Sequence, residues 1–294
     1  MKLPAFRFFT ASVILTVLAT PGVAGAEQAS SGWYVGAGAG TSWASTIDQA
    51  GWNRDTYCYP DACAQPGPGQ EIEGGSIPGY LWKYDLDADT GSAFEISIGR
   101  YFNRIRLEIA AAQRKNNVEQ TFADITFLDG RRASQPPGNM VTSNFESSID
   151  DFISRTLSFN AYYDFRNTFE TFTPYLGIGL GAAFAEVSGV HYTTHYQDLA
   201  APSQDLSFYD SGQDTDMTDT ILFGSIHAGA DYSLGHRTIA GLKMTWSIMD
   251  DIKYTGSYSR HPAHRENPDF TNHTTFSDLR QWSVMFTLKY LLDR

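Results

Sequence analysis

The chain has 294 residues, 42% hydrophobic and 14% aromatic, and its 21 Lys and Arg against 33 Asp and Glu give a net charge of −12. Such an acidic balance repels phosphate and excludes nucleic acid as an expected partner. Mean hydropathy of −0.30, with no long apolar run after the first residues, excludes a helical membrane protein but not a barrel, whose strands need apolar residues only at every second position.

The first residues read as an export signal. Lys2 and Arg7 precede an apolar run from Phe8 to Ala19, and Ala24-Gly25-Ala26 offers small residues for cleavage. Residues 1–26 are therefore expected to leave, and the mature unit is 27–294 with a net charge of −14 once Lys2 and Arg7 are gone. The competing reading, a retained membrane helix, is opposed by a run shorter than the roughly 20 residues a span requires.

The first strand is expected from Trp33 to about Trp43, with Trp33, Val35, Ala37 and Ala39 facing lipid and Gly36, Gly38 and Gly40 facing inward to leave room for bulky lumen side chains. A long polar stretch follows. It holds Cys58 and Cys63, separated by Tyr-Pro-Asp-Ala, which in an exported protein suggests a small disulfide loop. A metal site is the alternative, but neither Cys nor His recurs nearby to complete a zinc shell. The run Asp85-Leu86-Asp87-Ala88-Asp89-Thr90-Gly91 matches half of a calcium loop, with its glycine one position late and Ile96 where a bidentate Glu belongs. Solvated loop acids or weak calcium binding both fit it.

From here the alternation recurs. Phe94, Ile96 and Ile98 point out against Glu95, Ser97 and Gly99, and after the turn Phe102-Asn103-Arg104, Ile105, Leu107, Ile109 and Ala111 point out against Arg106 and Glu108. Leu157, Phe159, Ala161 and Tyr163 alternate with Ser158, Asn160 and Tyr162 in a fourth strand. In a fifth, Leu176, Ile178, Leu180 and Phe184 alternate with Gly177, Gly179 and Gly181. The sixth sends Leu222, Ile226, Ala228 and Tyr232 out and Ser225, His227 and Asp231 in. The seventh sends Leu242, Met244, Trp246 and Ile248 out and Lys243, Thr245 and Ser247 in. The last sets Trp282, Val284, Phe286, Leu288 and Tyr290 against Gln281, Ser283, Thr287 and Lys289.

The expected fold is thus all-β, an eight-stranded antiparallel up-and-down transmembrane barrel. The intervals 44–92, 117–153, 188–219 and 255–279 are read as four long external loops, and those at 103–104, 165–172 and 235–237 as short periplasmic turns. A soluble lipocalin-like barrel also has eight strands, but it would turn its apolar face inward and need no such asymmetry of connections.

Glu95, Arg106, Glu108, His227, Asp231, Lys243 and Lys289 then project into a lumen about wide enough to be filled by side chains. The expected arrangement is a polar network of ion pairs holding the barrel rigid, with a proton or ion path as the alternative. His227 could work as an acid or base, yet no nucleophile lies beside it in sequence, so a structural role is expected.

Four phrases resemble the opacity-protein and surface-antigen group of eight-stranded outer-membrane barrels: Gly99 to Glu108, Asn160 to Phe165, Thr173 to Gly181, and Ala228 to Tyr232. They cover most of the expected membrane strands and none of the loops. The resemblance implies a monomeric barrel of the Gram-negative outer membrane, in contact with its lipids and the barrel-assembly machinery. It implies a non-enzymatic surface antigen, adhesin or envelope-structural role through loops that meet host or matrix ligands, and it brings no catalytic residues, metal or cofactor. Barrels of this kind usually finish on a terminal aromatic, whereas this chain continues past Tyr290 to Arg294. Either Tyr290 serves with a tolerated tail or the signal is atypical.

Three further functions stay open at this point. An omptin-like rim protease would bring Asp85 and Asp87 to His191 or His195, but omptins need ten strands. A lipid A-modifying hydrolase would need a Ser–His pairing that no single strand supplies. A narrow pore would need an open lumen. The aromatic residues Trp52, Tyr57, Tyr59, Tyr80, Trp82 and Tyr84 make 44–92 the expected contact loop, unless they pack on one another.

Overall fold

The computed structural model describes residues 31–53, 56–57, 76–77, 80–127, 130, 140–166, 169, 171–198, 201–203, 205, 207, 210–256 and 272–292. The expected signal peptide and the Cys58–Cys63 disulfide lie outside the described residues.

Fifteen strands are described: β1 (Ser31–Ala44), β2 (Ile47–Asn53), β3 (Thr56–Tyr57), β4 (Ser76–Ile77), β5 (Tyr80–Ala88), β6 (Gly91–Phe102), β7 (Ile105–Phe127), β8 (Met140–Ser148), β9 (Asp151–Asp164), β10 (Phe172–Asp198), β11 (Ser211–Ser233), β12 (Thr238–Met249), β13 (Ile252–Gly256), β14 (Asn272–Ser277) and β15 (Arg280–Leu291). Eight of them form a closed antiparallel ring in the order β1, β6, β7, β9, β10, β11, β12, β15. The ring closes where β15 returns to β1, from Tyr34 opposite Leu291 to Ala44 opposite Gln281. Closure leaves no ring strand with a bare edge, which is what allows a sheet to cross lipid.

Side-chain period two does the rest. Ile96 is 66% exposed, and Leu180 and Leu222 are each 72% exposed, while their strand neighbours Glu95 and Phe223 are buried. Isolated in water, this belt would be a large apolar liability; in a bilayer it is the contact surface. At the short-turn end the belt finishes in exposed aromatics, including Trp33, Phe102, Tyr163, Phe172, Tyr232 and Tyr290. At the other end the outward positions turn polar, with Lys115 paired to Asp151 at 2.7 Å and Arg155 to Glu186 at 2.6 Å.

The four long intervals are not loops in the main. β2, β3, β4, β5, β8 and β14 lie within them, β13 runs into the last of them, and β7, β10 and β11 run on past the belt. Beyond the ring, β13, β14, β2, β5 and the end of β7 make one sheet. β8, the end of β10 and the start of β11 make another. Alternation is present here too: Tyr84, Leu86 and Ala88 face inward between exposed Asp85 and Asp87. The first four residues of the run read as half a calcium loop are therefore the end of β5, with Asp85 and Asp87 on its outer face, and Asp89 lies in the connection to β6. Among the described residues no group of three acidic, histidine or cysteine side chains is placed to hold a metal ion.

One bulge tilts β10 as it leaves the ring, between Val187 and Val190. Gly189 takes a φ of 64° there and donates its N–H to Asp216 at 2.9 Å. A Cβ at this position would stand 2.2 Å from the Asp150 carboxylate, so both backbone and space require glycine.

Candidate functional site in the barrel lumen

The inward faces of the eight strands stack side chains in layers. At the short-turn end an apolar floor is made by Tyr34, Tyr101, Ile239 and Leu291. Leu291 belongs to the continued last strand, whose pairing extends past Tyr290 through Leu292 N–H donating to the Trp33 carbonyl at 2.8 Å.

Above the floor sits the first charge layer. Asp231 on β11 accepts from Arg106 Nη1 at 2.8 Å, and Lys289 Nζ reaches both of its oxygens at 2.7 Å. Arg106 also approaches Asp164 at 3.6 Å, and its guanidinium lies over the rings of Tyr162 and Tyr175 at 4.4 and 4.5 Å. A cation this deep needs both a counter-charge and polarisable neighbours, and here it has both.

The second layer is organised by Glu108. Tyr34 and Tyr162 hydroxyls donate to it at 2.7 and 2.8 Å, and Asn160 at 3.2 Å. Lys243 binds Glu95 at 2.7 Å and lies 3.6 Å from Glu108, serving two acids. The tyrosine rings fit because glycines sit beneath them. A Cβ on Gly99 would meet the Tyr34 ring at 2.4 Å, and one on Gly177 the Tyr162 ring at 2.3 Å.

His227 comes next, held between the hydroxyls of Ser225 and Thr245, each 3.0 Å from a ring nitrogen. Higher still, Arg114 donates to Ser283, and Asn116, Gln281, Ser154 and Ser42 form a neutral net. The ceiling is apolar again: Phe152, Val187, Met217, Phe223, Met249 and Phe276 belong to one buried cluster at the mouth of the ring.

The seven residues expected in the lumen are all buried there, and six of them meet in the two charge layers. His227 is joined to hydroxyls and, by ring contact at 5.3 Å, to Tyr162. Sequence reading missed Tyr34, Tyr101, Tyr162, Tyr175, Asp164 and Arg114 as members. Their inward parity was the available signal. Between the charge layers a void of about 10 Å³ remains, lined by Gly36, Glu95, Arg106, Glu108 and Lys243 among others. That is roughly the space of one water.

Elsewhere, His191 meets Asp214 and His195 meets Asp210 at 2.7 Å on the outer face of β10 and β11. Asp85 and Asp87 are on β5, in the other external sheet, so the rim constellation considered from sequence does not assemble. In that sheet Trp52 stacks on His273 at 4.1 Å. Inside it, burial pushes the Tyr84 hydroxyl up to about 12, helped by nearby Tyr192, and its ring meets Phe122 edge-on at 5.5 Å.

A closed ring, an apolar belt outside and a charged layer sealed within settle the architecture. The ring of this chain is an eight-stranded transmembrane β-barrel. No family model matches it, and no curated protein does. Among solved structures it is similar in fold to the Neisserial surface protein A (NspA), at 14% identity over 88% of this chain and 97% of that one, with a TM-score of 0.39. It is similar also to the outer membrane protein OprG from Pseudomonas aeruginosa, at 12% identity over 88% and 96%, TM-score 0.44. A third is Ail, the attachment invasion locus protein of Yersinia pestis, in complex with the heparin analogue sucrose octasulfate, at 12% identity over 84% and 98%, TM-score 0.29.

Proposed function

We propose that the barrel is a non-enzymatic anchor whose external sheets are the working surface, as a surface antigen, adhesin or envelope-structural element. The observation that carries this reading is the sealed lumen. Ion-paired layers lie between an apolar floor and an apolar ceiling, and among the described residues the void found between them is about 10 Å³. A hydrated ion needs a continuous wet path, which such a stack does not offer. The Ser225–His227–Thr245 chain has the groups of a hydrolytic site but lies where no substrate reaches, so its bonds serve packing.

On this reading the Gram-negative outer membrane supplies the lipids around the belt, the assembly machinery inserts a monomer, and host or matrix ligands meet the extension. The test is a variant in which residues 46–89 are replaced by a short turn. It is expected to keep heat-modifiable migration, and so the barrel, while losing attachment to matrix proteins or cells that the parent shows. Attachment equal to the parent's would refute a contact role for these strands. Steady single-channel conductance of the parent in planar bilayers would favour a pore instead, and peptide or lipid A turnover an enzyme.

A further inference from the structure

The two ends of the belt differ in charge. At the long-loop end the exposed cations Lys115 and Arg155 are both paired to acids on adjacent strands. At the short-turn end the exposed cations are Arg100, Arg104 and Arg237, and the carboxylates among the described residues there, Asp164 and Asp231, are buried inside. Among the described residues neither Arg100 nor Arg104 has a carboxylate within ion-pair distance.

Arg100 is also held. Its guanidinium lies 5.5 Å over the Trp33 ring, which faces it in register on β1, and 5.0 Å over the ring of Phe102. Arg100 and Phe102 share the outward parity of β6, directly below exposed Ile96 and Ile98, and Arg104 is exposed in the turn that follows. Arg104 is steadied by a bond from Nη1 to the Tyr163 hydroxyl at 3.3 Å. A planar, aromatic-stacked cation at the edge of a lipid-facing surface is built to take a phosphate.

We propose that the outward face of the β6–β7 turn binds the headgroup of an anionic glycerophospholipid of the periplasmic leaflet. Arg100 holds the phosphate, Arg104 adds charge beside it, and Trp33 and Phe102 cover the upper acyl segments. Continuity with the belt selects a lipid over free phosphate, because the acyl chains of the same molecule lie on Ile96 and Ile98. The positive charge of Arg100 and Arg104 selects an anionic headgroup over a zwitterionic one.

The inference rests on the membrane placement above, and the experiment separates the two. Full-length chain is purified in neutral detergent and checked for heat-modifiable migration. It is then measured by native mass spectrometry with dimyristoylphosphatidylglycerol and, separately, dimyristoylphosphatidylcholine. The parent is expected to retain the glycerol lipid preferentially. Arg100→Gln with Arg104→Gln is expected to lower that retention at least fivefold without changing choline-lipid retention, and Lys115→Gln with Arg155→Gln is expected to leave both unchanged. Equal retention of the two lipids by the parent, an undiminished preference in the first double variant, or an equal loss in the second would overturn the site. A parent that shows no heat-modifiable form in any detergent would overturn the barrel placement itself.

Discussion

Arg106 and Asp231 are 125 positions apart in the chain and meet at 2.8 Å in the centre of the ring, with Lys289 completing the group from the last strand. The contact joins β7 to β11 and β15, so it forms only when the ring has closed. Removing one partner leaves a buried charge uncompensated, which costs about 3–5 kcal/mol. Asp231→Leu is expected to lower urea-unfolding stability in detergent micelles by that amount, because Lys289 then stays buried without its counter-charge. The triple variant Arg106→Met, Asp231→Leu, Lys289→Met is expected to recover most of it, since neither cation is then stranded and Asp164 keeps Arg166 at 3.9 Å. Equal destabilisation by the single and triple variants would show that the layer acts through shape alone.

The belt makes a separate prediction. Ile96 faces outward near the middle of β6, whereas Phe122 is exposed on β7 beyond the belt. An arginine at mid-bilayer on a barrel's lipid face costs about 2–4 kcal/mol and near the water boundary little. Ile96→Arg is expected to reduce folding stability in vesicles by that amount, and Phe122→Arg to stay within about 0.5 kcal/mol as a surface substitution does. Similar costs at the two positions would place the bilayer boundary wrongly.

Ring strands were legible in sequence because each must present two chemically opposite faces, lipid and lumen, over its full length. Trp282 to Tyr290 against Gln281 to Lys289 is the plainest instance, and the structure pairs these residues at both edges. The external strands were hidden because their outer face meets water and their inner face is only partly apolar. Tyr84-Asp85-Leu86-Asp87-Ala88 alternates as well, but acids at every second position fit a cation loop and the wet face of a strand equally. The charge layers were half legible: parity gave the inward charges, while the pairing of Arg106 with Asp231 depends on ring order, which no local pattern encodes. Tyr34 and Tyr101 carry no charge to mark them as members of a polar network, and they form the floor.

In the external sheet, Tyr84 supplies a pH prediction. Its folded value of about 12 stands above the ordinary 10.0, mainly through burial, so the neutral hydroxyl is the form the fold prefers. The contribution is therefore intact below pH 10 and is lost as pH rises from 10 toward 12. Protease resistance of the extension is expected to fall in that window in the parent. In Tyr84→Phe the same fall should be smaller or displaced upward, because no proton is then lost there. An identical pH profile in the two proteins would assign alkaline loosening to other groups.

Gly177 tests whether tyrosine placement or charge pairing is the stricter demand on the lumen. An added methyl there would lie 2.3 Å from the Tyr162 ring and 3.0 Å from the Ala161 carbonyl, so the ring must swing away. Swinging it breaks the 2.8 Å bond to Glu108 and withdraws the face that covers Arg106 at 4.4 Å. Overpacking alone costs about 1–3 kcal/mol. A hydrogen bond to a charged group adds about 1.5–3. Gly177→Ala is thus expected to destabilise by more than Tyr162→Phe, which loses the bond but keeps the ring. In Tyr162→Phe with Gly177→Ala the hydroxyl contribution should vanish, leaving only the steric part. If Gly177→Ala proved harmless while Tyr162→Phe did not, the ring would have room to move, and the glycine would owe its place to something other than the tyrosine above it.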